Sequence, residues 1–223
     1  MREFMTWLWF TDGGLAVRIV AGVSIFAVLA AVELIRKGRD ARRWKEYLFL
    51  LYAVCLAMAY GAINDLVTVS ISWEYFYFGK NLAEEMGYLI PPDFAALRIE
   101  AVKIGLMASW TAGLMFGVAA LFANNPRGDL PRLPTSTLVK LGLLPVAAAG
   151  VVAILSGLAG WHGMYDRFMP AGMDLIRHPR YFTAVWGAHL GAYFGGAGGM
   201  AAAVILILMR RRRLQRERLP SAC

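Results

Sequence analysis

A chain of 223 residues that is 59% hydrophobic and 17% charged, with a mean hydropathy of +0.53, is too apolar for an ordinary soluble domain. Its formal net charge of +8 is gathered into basic runs between apolar blocks, which places the excess at a membrane surface and argues against nucleic acid as a partner. The blocks are far longer than barrel strands, so the expected fold class is an all-α integral membrane bundle, a single domain over 1–223 with the lipid bilayer as its first partner.

The opening "MREFMTWLWFTDGG" carries Arg2 but no small-residue cleavage pattern, so no cleavable signal peptide is expected, and Trp7, Trp9 and Phe10 read as an interfacial aromatic belt. Five spans follow, at 14–35, 46–69, 101–123, 138–160 and 183–209, each near the roughly 20 apolar residues that about 30 Å of hydrocarbon requires. The first span and its basic loop (1–45) read as an addition to a four-helix core (46–209), with a basic cytoplasmic tail (210–223). Arg36, Lys37, Arg39, Arg42, Arg43 and Lys45 fill the first loop, Arg127, Arg132 and Lys140 flank the third, and Arg210 to Arg213 open the tail. The segment 60–100 instead carries Asp65, Glu74, Glu84, Glu85, Asp93 and Glu100 against Lys80 and Arg98. Positive charge marks the cytoplasmic face, so the N-terminus is expected outside and the C-terminus inside. Cys55, within the second span, and Cys223, in the tail, supply neither a disulfide framework nor a thiolate metal site.

Near the outer end of the second span the chain reads "YGAINDLVTVSISWEYFYFGKN". After Asp65 the pattern alternates, Val67, Val69 and Ile71 against Thr68, Ser70 and Ser72, so 67–78 is expected to form a short extended or irregular cap, with a helix running on to Ser72 as the other reading. Trp73, Tyr75, Phe76, Tyr77 and Phe78 surround Glu74. Taken alone the aromatics read best as an interfacial anchor; with Glu74 and Asp65 taken into account, the anchor and a low-dielectric lid over the outer helix ends stand as equal alternatives. Asp65 and His189 lie at one depth, with Arg18, Lys103 and Glu100 near the same level and Asn64 beside Asp65. An ionised group there costs about 2.5–3.5 kcal/mol on insertion scales, so a polar cluster of Asp65, Glu74, His189, Glu100 and His162, supported by Arg18, Asn64 and Lys103, is the candidate site.

In the fourth span Pro145 is expected to kink the helix. In the fifth, Gly187, Gly191, Gly195 and Gly199 recur every four residues and invite another helix to close approach. That helix is expected from the same chain, through Ala149, Ala153, Gly157 and Gly160, with a second copy or another membrane subunit as the alternative. His189 is rotated about 200° from Gly187 and points away from the ridge.

"YGAINDLVTVSISWEYFYFGK", "LMASWTAGLMFGVAALFA" and "WGAHLGAYFGGAGG" together resemble a family of small bacterial membrane proteins of uncharacterised function, over about residues 48–209. Asn64, Asp65, Thr68, Glu74, Tyr75, Phe76, Gly79, Ala188, His189 and Leu190 carry the likeness. Asn64 stands where the family often has histidine, and Leu66 and Lys80 depart from it, standing where the family has glutamine and histidine. The resemblance implies a bacterial inner-membrane bundle and points to the Asp65 region, without supplying an activity.

Carboxylates with imidazoles suit zinc, iron or manganese, and His178 adds a further imidazole near the outer face. The spacing matches no di-iron, zincin or phosphate-loop motif. The leading expectation is a small accessory or assembly-type membrane protein with a structural polar network; the alternative is a metal-dependent or redox membrane enzyme.

Overall fold

The computed structural model describes residues 11–38, 41, 43–88, 90, 92–125, 130–169 and 175–218; the expected aromatic belt at Trp7, Trp9 and Phe10 lies outside them. Among the described residues the fold is all-helical, without strands. The helices are α1 (Asp12–Lys37), α2 (Trp44–Ile71), the one-turn α3 (Leu82–Glu85), α4 (Phe94–Ala123), α5 (Thr135–Trp161) and α6 (Pro179–Arg218), with a π-helical turn, Tyr75–Gly79, after α2. All but α3 are long and apolar enough to cross a membrane, which makes this a multi-pass membrane protein. The ends follow local chemistry. Thr11 accepts the Gly14 N–H at the start of α1, Asp93 accepts those of Ala95 and Ala96 at the start of α4, and Pro134 and Pro179 open α5 and α6, where a missing N–H is harmless. At 40 residues α6 is about 60 Å long, so the basic segment expected as a tail continues beyond the hydrocarbon as helix.

The core is two antiparallel pairs, α2 with α4 and α5 with α6, joined by fewer contacts; α1 packs on the outside of α2. Gly187, Gly191, Gly195 and Gly199 of α6 lie against Ser156, Val152, Ala148 and Pro145 of α5, so the neighbour of the ridge is indeed in the same chain. The receiving residues are one step round α5 from the expected stripe. Of that stripe, Gly157 and Gly160 take α6 at Ala184, Ala188 and Thr183. A second seam escaped the sequence reading: Gly61 of α2 and Gly105 of α4 abut backbone to backbone, and Gly113 and Gly117 meet Ala53 and Leu50. Small residues let paired helices gain dispersion contacts that lipid cannot match.

Two apolar clusters join the pairs, one at each end. At the basic end Phe49, Phe116, Leu138, Leu141 and Ile207 pack together, and at the other Tyr75, Phe76, Tyr77, Leu97 and Phe182 do so. The basic end is also tied by Arg211, buried in spite of its charge. Its guanidinium donates to the carbonyls of Ala123, Asn125, Leu130 and Pro131, joining α6 to the exit of α4 and the entry to α5. A cation at the C-terminus of α4 is also favoured by the helix dipole. One arginine of the basic segment is thus a clamp. Arg211→Met is expected to lower stability by about 2–3 kcal/mol, as hydrogen bonds to a charged group do. Lysine should not restore it, because a single ammonium cannot span four carbonyls. The check is the unfolding temperature in detergent.

The cap at 67–78 differs from expectation. α2 continues to Ile71, because its polar side chains are satisfied within the helix: Thr68 Oγ1 donates to the Asn64 carbonyl (2.7 Å) and Ser70 Oγ to that of Leu66 (3.0 Å). The chain becomes extended only at Ser72, whose hydroxyl accepts the Tyr75 N–H (3.3 Å), and then coils into the π turn. Tyr75, Phe76 and Tyr77 are buried, with Trp73 and Phe78 partly buried against them, so the aromatic segment packs over the helix ends as a lid. Gly79 closes the turn with the Phe182 ring 3.1 Å from where a Cβ would stand, closer than ordinary contact.

Candidate functional site

Beneath this lid, α2 and α6 meet through polar groups. Asp65 and His189 are each 4% exposed, and Asp65 Oδ1 lies 3.8 Å from His189 Nε2. Thr68 Oγ1 is 3.3 Å from the same nitrogen. Thr68 Oγ1 also donates to the Asn64 carbonyl at 2.7 Å, which leaves its lone pairs to accept from Nε2–H in the imidazole tautomer that carries its proton there. Asn64 Nδ2 completes the cluster with a 3.0 Å bond to Asp65 Oδ1. The Tyr75 ring stacks on the imidazole at 4.8 Å and 22°, and Phe76 meets it edge-on at 5.7 Å. Burial pushes the Tyr75 phenol above its ordinary value, so a neutral ring covers the histidine. Lys80 Nζ lies 5.6 Å from the centre of that ring. The helical rotation that turned His189 from the glycine ridge is the one that delivers it to α2.

The other expected members of the cluster go elsewhere. Glu74, 1% exposed, accepts the backbone N–H groups of Arg177 (2.8 Å) and His178 (3.0 Å), one on each oxygen, and so ties the lid to the entry of α6. Glu100 pairs with Lys103 at 2.8 Å along α4, both half-exposed. His162 is exposed at the C-cap of α5, and His178 is exposed. The Arg18 guanidinium lies over Trp110 of α4, 6.0 Å from the ring centre. Among the described residues no three histidine, cysteine, aspartate or glutamate side chains come together as ion ligands. Asp65 and His189 therefore share one site with Asn64 and Thr68, while Glu74, Glu100 and His162 do not join them. The role of Glu74 was hidden because its partners are main-chain groups about a hundred residues away, which leave no mark in side-chain spacing.

Glu74→Gln tests that role. A carboxylate offers acceptors to both N–H groups, whereas an amide turns one oxygen into a donor facing a donor. The expected loss is about 1–3 kcal/mol, the usual penalty for a buried group left unsatisfied. Glu74→Asp, which keeps both acceptors, should lose less; the measure is again thermal unfolding in detergent.

Below the network, between the two helix pairs, runs a cavity of about 210 Å³. Asn64, Asp65, Lys80 and His189 stand at one end, and Phe116, Gly142 and Met200 at the other. Among the described residues, fold and site together define a helical bundle with five candidate spans, its two halves joined at the lid end through Asp65, Thr68 and His189 and at the basic end through Arg211. No protein-family model, curated protein or solved structure matches this chain.

Proposed function

We propose that this chain is a small accessory or assembly-type protein of the bacterial inner membrane, with its N-terminus outside, in which Asp65, Thr68 and His189 act as a structural network. The observation that supports this reading is how the buried polar groups are used. Asp65 is held by Asn64 and faces His189, His189 is held by Thr68 between two rings, and Glu74 is held by two backbone N–H groups. Each fixes one element to another rather than converging on a shared reaction centre. A partner subunit or second copy would engage faces other than the glycine ridge, which α5 already fills.

Metal analysis of the purified protein tests this against the metal-dependent or redox alternative. The expected result is no stoichiometric zinc, iron or manganese. A stoichiometric ion, lost in both Asp65→Asn and His189→Gln, would overturn the structural reading in favour of ligation. Orientation is tested separately on intact cells: a cysteine at Asp12 should react with an impermeant thiol reagent while Cys223 stays protected, and the reverse pattern would invert the topology.

A further inference from the structure

The cavity between the helix pairs is not accounted for by the polar network. The two apolar clusters close the bundle at its ends, and between them small residues, Ala53, Ala57 and Gly61 on α2 and Ala149, Ala192 and Gly196 on α5 and α6, leave room in a wall completed by Leu56, Ile104 and Val146. From Ala53 to Asp65 the slot follows α2 for about 18 Å, at 1.5 Å per residue. The exposed members of the wall are Ala108 and Ala112 on α4 and Tyr193 and Ala197 on α6, so it opens sideways between these helices at membrane depth. Whatever enters comes from the hydrocarbon.

The head end narrows the choice. Asp65, Lys80, His189 and Asn64 line it with donors and acceptors of both signs. Tyr60 lines it as well, and its buried hydroxyl has no hydrogen-bond partner among the described residues. Such an orphan is destabilising unless something in the cavity answers it. A phosphate head would meet Lys80 but also the Asp65 carboxylate, and a purely apolar chain would leave Tyr60 unanswered. An uncharged head with carbonyl or hydroxyl groups meets both conditions, and Tyr193 offers a flat face beside it.

We propose that this slot binds a long-tailed, uncharged membrane lipid whose ring head carries carbonyl or hydroxyl groups, the quinone and quinol class, with the head at Tyr60 and Lys80 and the tail running toward Phe116 and Met200. This goes beyond the structural reading, and its test leaves the Asp65–His189 contact untouched.

The full-length protein in detergent is titrated with a decyl-tailed benzoquinone, and binding is read as a rise in unfolding temperature and by cross-linking with an azido derivative of the same quinone. The expected result is saturable binding with cross-links on α4 or α6. Ala112→Trp and Ala197→Trp fill the opening from exposed positions and should weaken affinity at least about tenfold, or 1.4 kcal/mol, without shifting the ligand-free unfolding temperature. Tyr60→Phe should weaken it in the same direction. Affinity unchanged in both tryptophan variants would overturn the proposal. So would displacement of the quinone by equimolar phosphatidylglycerol, which would mean an anionic head is preferred, or by decane, which would mean no head is recognised.

Discussion

Leucine at both Gly191 and Gly195 is expected to force α5 from α6 and to remove roughly 5 kcal/mol, enough to unfold much of the population of a protein of ordinary stability. A Cβ at Gly191 would run into the Val152 carbonyl and one at Gly195 into that of Ala148, so the obstacle is backbone, which cannot rotate out of the way. Overpacking a yielding core costs about 1–3 kcal/mol per site, and these sites yield less than most. Gly198, on the same helix, meets nothing within 4 Å of the position its Cβ would take. Gly198→Leu should therefore fall within about 0.5 kcal/mol of the parent protein. Unfolding in mixed micelles gives both losses, and equal losses in the Gly191/Gly195 double variant and in Gly198→Leu would mean that the ridge is not the seam.

His189→Ala should have the second-largest effect, about 3–5 kcal/mol, the range for deleting a large buried ring. It opens a void between Tyr75 and Phe76 and removes the group that Thr68 and Asp65 face. Asp65→Asn keeps the volume and removes the charge, and is expected to cost about 1–3 kcal/mol through imperfect satisfaction of its neighbours. A mere filler at position 189 would be replaceable, so His189→Phe separates shape from polarity: it should restore part of the stacking against Tyr75 but none of the contact to Thr68. Full recovery in that variant would show that the imidazole is present only for its ring.

Hydropathy was enough for the five helices, because roughly 20 apolar residues in a block have few other uses. The glycine ridge was legible for the same kind of reason: a period of four with no side chains can only be a surface for close contact. The seam of Gly61, Gly105, Gly113 and Gly117 was not, since its glycines are divided between two helices and neither carries a long repeat. The alternation over 67–72 misled because serine and threonine look polar in a pattern, yet in a helix they return their hydroxyls to the carbonyl four residues back. Depth brought Asp65 and His189 to one level and helical rotation turned His189 the right way, which is why that contact could be anticipated. Glu74 and Arg211 could not be placed, because both are satisfied by backbone groups whose positions depend on how distant loops come together.

That the two helix pairs are joined at the lid by one network through Asp65 and His189 is the central claim, and a double-mutant cycle tests it most directly. Stability is measured for the parent, Asp65→Asn, His189→Gln and the double variant, with metal content determined on each sample. Partners in one network should be coupled, and hydrogen-bonded pairs within membrane proteins average about 0.6 kcal/mol and reach about 1.7. The predicted result is a coupling of roughly 1 kcal/mol in metal-free protein, the double change costing less than the sum of the single ones. Additive losses would place the two residues in separate environments and contradict the account.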